Sequence, residues 1–224
     1  GLYATVAILA ALRHRDATGQ GQVIDMALLD TQLAMLANLG SNYLCTGKPP
    51  GRMGNAHQNI VPYQVFEASD GHLILAVGND GQFAKFSELA GRPDWPQDPR
   101  FSKNAERVRH RELLVPQIAA AIKTRPRDSW LAALEAAKVP CGAINNLAEA
   151  FADPQVQARE MTVAMPHPLS DALRLVASPI KLSATPVAYR HAPPLLGQHT
   201  DELLREAGLD AQEIAALHQQ GVVD

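Results

Sequence analysis

The sequence predicts a mixed α/β or α+β protein, with a middle domain from about residue 51 to about residue 183 interrupting another unit. Three observations carry that reading. The two ends of the chain carry helical stretches, with apolar residues recurring three and four apart. Two strand-like runs, Tyr63 to Glu67 and His72 to Val77, flank Asp70-Gly71, a pair that favours a hairpin turn. Between the first helices and these strands lies Thr46-Gly47-Lys48-Pro49-Pro50-Gly51, and Pro and Gly both interrupt regular structure.

Taken in order, residues from Gly1 to Leu12 read as the inside of a buried helix without a capping residue before it. The expectation is that the natural chain continues upstream, and that Leu2, Val6 and Leu9 pack against that portion. Arg13-His14-Arg15-Asp16 and Gly19 supply the cationic end and the glycine stop. Gln22 to Met26 is a short strand candidate, and Leu28 to Leu44 a second helix with apolar residues at 29, 33, 36 and 37. Asn79 caps a helix running to Ala90, with Gln82 closing a capping box and Gly91 at the far end. After a Pro- and Asp-rich loop, helices are expected from Asn104 to Ile122 and from Pro126 to Ala137, the latter with Pro at its first position. Asn146 with Glu149, and Asp153 before Pro154, mark two more helix starts. Residues Ala164 to Pro186 are strand-like, and His191 to Gln198 is a linker. Two short helices follow, Thr200 to Ala207 and Asp210 to Gln219, the second opened by an Asp210/Glu213 box.

With 224 residues, 46% of them hydrophobic, the chain is long enough for a sizeable core. A net charge of −3 gives no electrostatic case for nucleic acid or an anionic membrane as partner. The longest apolar run, Val6 to Leu12, is too short to span a bilayer, and two distant cysteines fit a reducing cytoplasm. No phosphate loop, dinucleotide fingerprint or metal-ligand cluster is present, and the eight histidines are scattered, none with a second His or a Cys three or four residues away. Cys141 is conceivable as a nucleophile, although Val139-Pro140-Cys141-Gly142 equally suits a small buried filler.

The most unusual stretch is Gly51-Arg52-Met53-Gly54-Asn55-Ala56-His57-Gln58-Asn59, a polar loop directly before a strand. Such a loop can turn backbone N–H groups and amides toward developing negative charge, or it can simply connect two domains. Asp80 is a carboxylate at a strand-to-helix junction, and it also fits an ordinary first-turn helix acid. The candidate binding residues are therefore Gly54, Asn55, His57, Gln58, Asn59 and Asp80. On these residues alone, an enzyme and a binding module remain alternatives.

Several segments in order resemble a known family. They are Gly1-Leu2-Tyr3-Ala4, Gly19-Gln20-Gly21-Gln22 with Asp25, Gly54-Asn55-Ala56-His57 to Pro62-Tyr63, and Val77-Gly78-Asn79-Asp80. Val139-Pro140-Cys141-Gly142, Asp153-Pro154-Gln155-Val156, Ser178-Pro179-Ile180, Leu196-Gly197-Gln198-His199-Thr200 and Gly221-Val222-Val223 follow in the same order. Together they resemble the family III CoA-transferases, the CaiB/BaiF family, from end to end of the chain.

The resemblance implies that residues 1–50 are the C-terminal piece of the first segment of a Rossmann-like, CoA-binding large domain with its linker. Residues 51–183 would form a small α+β domain, and 184–224 a linker and the return to the large domain. It implies an interlocked homodimer in the cytoplasm, completed by an N-terminal half of the same protein. The implied substrates are an acyl-CoA and a small carboxylic acid, with coenzyme A as carrier, no permanently bound cofactor and no metal. An aspartate placed just before Gly1 would be the nucleophile, so no catalytic residue lies in this chain and the chain alone should be inactive. Gly54 to Asn59 matches the segment that folds over the active site of formyl-CoA transferases. Ala56, His57, Gln58 and Asn59 stand where those enzymes repeat glycine, which suits larger dicarboxylic or branched acids. The α-methylacyl-CoA racemases share the fold, and Asp80 roughly matches an acidic position of theirs, although Gly78-Asn79-Asp80 is commoner among the transferases. A non-catalytic fragment is the remaining alternative.

Overall fold

The computed structural model describes residues 1–223 and falls into two compact units, one of residues 1–144 and one beginning at Asn145. In the first unit, α1 spans Leu2–Thr18. It stops where Gly19 takes a φ of 73° and donates its N–H to Arg15 O, a left-handed conformation that a Cβ would strain. Leu2, Val6 and Leu9 are 85%, 66% and 60% exposed, so the apolar residues of α1 are uncovered. The strand expected over 22–26 does not form: these residues join no ladder, and Val23 lies in solvent. A short apolar run becomes a strand only where a neighbour satisfies its backbone groups. The single helix expected over 28–44 is two, α2 (Leu28–Ala34) and α3 (Ala37–Thr46), with Ala37 at a φ of 44° where they meet.

The core of this unit is drawn from residues between Val61 and Val139. β1 (Tyr63–Glu67) and β2 (His72–Ala76) pair antiparallel with Phe66 opposite Leu73. Leu73 and Leu75 are buried, two residues apart, as the strand period requires. The hairpin turn centres on Ser69-Asp70, one residue earlier than expected, and is closed by Ala68 N–H to Gly71 O at 2.8 Å. Asp70 Oδ1 instead accepts Arg127 N–H at 2.7 Å.

Helices α4 (Asp80–Leu89), α5 (Asn104–Arg109), α6 (Arg111–Ile122) and α7 (Arg127–Ala136) pack this sheet, and β3 (Cys141–Ala143) adds antiparallel to β2. The continuous helix expected from 104 to 122 is interrupted at His110, which leaves the helical region with a φ of −107°. Leu114, Ile118 and Ile122 on α6, and Trp130 and Leu134 on α7, recur at a spacing of four and are all buried. Phe86 lies between the two indoles, 6.2 Å from Trp95 and 6.3 Å from Trp130. Trp95 Nε1 donates to Gln117 Oε1 at 3.2 Å, and Trp130 Nε1 to Ile122 O at 2.8 Å. Buried indoles therefore keep their polar edge satisfied. Pro126 is the N-cap of α7 rather than its first helical residue.

The second unit contains α8 (Leu147–Ala152), α9 (Pro154–Ala158), the antiparallel pair β4 (Thr162–Ala164) and β5 (Arg174–Val176), α10 (Thr200–Glu206) and α11 (Ala211–Gln219). The capping boxes at Asn146/Glu149 and Asp210/Glu213 both form, and Asp153 caps α9 with Pro154 at its first position. The strand-like run from 164 to 186 reduces to Ala164 at the end of β4, to β5 and to a bridge between His167 and Ser170, since only these backbone groups find ladder partners. Among the described residues, no helix is long and apolar enough to cross a membrane.

Candidate functional site

The chain leaves α3 through Gly47 and crosses to β1 as an irregular segment. Gly54 takes a φ of 59° in a turn closed by Ala56 N–H to Met53 O at 3.1 Å. A side chain there would be held in the left-handed region. Asn55 Oδ1 accepts Val65 N–H at 2.9 Å and ties the turn to β1. His57 donates its backbone N–H to Tyr63 O at 2.9 Å and stacks its ring on Tyr63 at 5.2 Å. Its Nδ1 accepts Asn59 N–H at 3.0 Å, so a neutral His57 carries its proton on Nε2. Gln58 Oε1 accepts from Asn42 Nδ2 on α3 at 2.8 Å, which leaves the Gln58 NH2 as a donor.

Behind the loop stand three residues that the sequence reading did not single out. Asn104, Arg107 and Arg111 follow one another at spacings of three and four across α5 and the start of α6. Asn104 donates from Nδ2 to Asn59 O at 2.8 Å and accepts Val61 N–H on Oδ1 at 3.1 Å. Arg111 Nη2 reaches His57 O at 3.2 Å and Gln58 O at 2.7 Å. Arg107, fully buried, donates from Nε to Val61 O at 2.7 Å and from Nη1 to Phe101 O at 2.9 Å. Its Nη2 meets Asp80 Oδ1 at 3.0 Å as an ion pair, off the direction of a hydrogen bond. The guanidinium also lies over the Phe83 ring, 4.3 Å from its centroid. The spacing of these three residues was the available signal: polar residues three and four apart along a stretch that also carries core residues.

Asp80 is linked to the loop through this stripe rather than being part of the loop. Its Oδ1 accepts Asn104 N–H at 3.1 Å, and Lys103 Nζ is 3.4 Å from Oδ2. Asn79 caps α4 by accepting Gln82 N–H, while Gln82 Oε1 accepts Gly78 N–H at 2.7 Å, one residue short of the capping box expected. Partial burial works to raise the Asp80 carboxyl, and Arg107 and Lys103 outweigh it, holding the group below its ordinary value. Such a carboxylate adds stability above its unfolded pKa, and that stability is lost as pH falls through the folded one. Asp80→Asn is therefore expected to lower the melting temperature at neutral pH and to flatten its further fall below about pH 4. Parallel melts of parent and variant at neutral and acid pH measure this, and acid limbs of equal steepness would refute it.

Gly54, Asn55, His57, Gln58 and Asn59 thus share one loop, with a cavity of about 340 Å³ beside it that is lined by Arg52, Ala56, Gln64 and Arg111. Elsewhere, burial and the Glu135 charge push the Cys141 thiol up, the opposite of what a nucleophile needs. Among the described residues no three His, Cys, Asp or Glu side chains converge as a metal site.

The family model for CoA-transferase family III matches residues 1–200. The succinate–glutarate CoA-transferase of Agrobacterium fabrum is 47% identical over 208 residues, covering 92% of this chain and 52% of that protein. The human succinyl-CoA:glutarate CoA-transferase is 36% identical over 225 residues, 100% of this chain and 51% of that one. A CaiB/BaiF family crystal structure from Brucella suis shares the mixed α/β fold with a TM-score of 0.75 at 43% identity, over 92% of this chain and 53% of that one. The chain spans about half the length of the relatives it matches. With a family match that starts at residue 1 and a solved relative at 43% identity, the chain belongs to CoA-transferase family III.

Proposed function

We propose that the protein containing these residues is an acyl-CoA:carboxylate CoA-transferase acting on dicarboxylic acids of the size of succinate and glutarate. The observation that carries this reading is the high identity, along nearly the whole chain, to a succinate–glutarate CoA-transferase. The chemistry needs a carboxylate nucleophile, expected on an aspartate upstream of Gly1. That carboxylate attacks the donor thioester carbonyl, the C–S bond breaks, and CoA leaves as thiolate from a mixed anhydride. The thiolate then attacks the aspartyl carbonyl and releases the first acid, leaving an aspartyl-CoA thioester. The acceptor carboxylate repeats the two steps in reverse and departs as its CoA thioester. Coenzyme A is carried as substrate, and no resident cofactor or metal enters.

In this scheme residues 54–59 cover the acyl group. His57 Nε2–H and the Gln58 NH2 are donors suited to an acceptor carboxylate or an anhydride oxygen. A covered site keeps water from the anhydride and the thioester, whose hydrolysis would waste the acyl group. We assign residues 1–50 and 184–224 to a Rossmann-like large domain and 51–183 to a small domain, in a cytoplasmic, interlocked homodimer. The uncovered apolar residues of α1 support a further partner surface in the whole protein.

The test is exchange of CoA between succinyl-CoA and labelled glutarate. The full-length protein should catalyse it, and residues 1–224 alone should not. In the full-length protein, His57→Ala with Gln58→Ala should shift the ratio of transfer to hydrolysis by about fivefold, the value of one lost hydrogen bond. Full-length protein that exchanges CoA with no dicarboxylic acid, or that racemises a 2-methylacyl-CoA instead, would end this reading.

A further inference from the structure

Three successive carbonyls of the candidate loop are held by side chains from α5 and from the start of α6. His57 O and Gln58 O accept from Arg111 Nη2, and Asn59 O accepts from Asn104 Nδ2. Each peptide unit is planar, so fixing its carbonyl fixes the unit. Fixing three in a row sets φ and ψ at Gln58 and Asn59, and with the His57 N–H bond to Tyr63 O it sets the Cα–Cβ direction of His57 as well as that of Gln58. A plain connector has no use for this, because water satisfies the carbonyls of a surface loop. Here a half-buried guanidinium is committed to two of them, and hydrogen bonds from a charged donor are the stronger kind. The loop's own bonds, His57 N–H to Tyr63 O and Asn59 N–H to His57 Nδ1, fix the 56–57 and 58–59 peptide units but leave the 57–58 unit between them, with the His57 carbonyl, free to rotate. Arg111 removes that freedom.

We propose that Arg111, assisted by Asn104, is a positioning residue that holds the 57–59 backbone in the one geometry that presents His57 and Gln58 to the acceptor acid, and so sets acceptor selectivity. The selectivity half of this rests on the function proposed above; the positioning half does not. Binding groups must be held within a fraction of an ångström to discriminate acids that differ by one methylene. Lysine cannot replace the residue fully, because an ammonium is a point donor while the guanidinium is a planar fork.

The experiment uses the full-length protein and two variants, Arg111→Ala and Arg111→Lys, with two readouts. The first is amide hydrogen exchange of peptides covering residues 54–61. Arg111→Ala is expected to speed exchange there by about tenfold, with Arg111→Lys intermediate and peptides from β2 and α7 unchanged. The second is the ratio of kcat/KM for glutarate over succinate as acceptor. It should change by about threefold or more in Arg111→Ala and recover in part in Arg111→Lys, at an unchanged melting temperature. Exchange in 54–61 equal to the parent would overturn the positioning role, whatever the activity. Faster exchange with an unchanged selectivity ratio, or with a uniform loss for both acids and a lowered melting temperature, would leave a merely structural residue and overturn the inference. If the parent transfers no CoA at all, the exchange readout still decides the positioning role, and it is the proposed function that falls.

Discussion

Replacing Arg107 by methionine is expected to destabilise the first unit by about 3–5 kcal/mol, the cost of removing one partner from a buried charged network. Methionine fills much of the volume, so the loss comes from polar atoms left behind. Val61 O and Phe101 O both lose their guanidinium donor, and Asp80 loses the ion pair at 3.0 Å. Burial lowers the Arg107 pKa and Asp80 pulls it back, yet an arginine stays charged throughout. The cation cannot be stranded without cost, and neither can its acceptors. Arg107→Lys should recover only part of the loss, since one ammonium cannot reach three acceptors in fork geometry. Urea melts followed by circular dichroism give the comparison. A loss below about 1 kcal/mol for methionine would mean that water replaces the guanidinium at these carbonyls.

Trp130→Ala should cost a comparable amount, about 3–5 kcal/mol, by a different mechanism. The Trp130 side chain is fully buried, and its ring meets Phe86 on one side while Arg125 lies 4.3 Å from its centroid. Arg125 is itself fixed by a hydrogen bond to Leu89 O, so it cannot simply swing in to fill the space. Truncation therefore leaves a cavity, and Ile122 O loses the indole N–H. Trp130→Phe separates the two contributions. It keeps most of the volume and forfeits the hydrogen bond, for an expected loss of about 1–2 kcal/mol. Equal losses in the two variants would assign the whole effect to the Ile122 carbonyl.

Much of the fold was legible in local chemistry. The caps at Asn79, Asn146, Asp153 and Asp210 were readable because a cap is decided within four residues. The β1–β2 hairpin was readable because alternation and turn residues lie side by side. What failed depended on partners distant in the chain. Residues 22–26 have strand composition and no neighbour to pair with. The loop at 54–59 stood out as polar and glycine-bearing, but the backbone from 57 to 61 is held by residues 104, 107 and 111, 43 to 54 positions later. On a helix these looked like ordinary members of a polar face. Only the fold reveals that one of them, Arg107, is entirely inside.

The placement of the two indoles has a spectroscopic consequence. Trp95 and Trp130 are the only tryptophans in the sequence, and both flank Phe86 in one core. Tryptophan emission from this chain therefore reports the first unit and is blind to the second, which holds Tyr189 as its lone phenol. A denaturation curve read by that emission follows one unit only. Where it parts from the curve for total helix content, the difference belongs to helices outside that core, α1 to α3 and those from α8 onward.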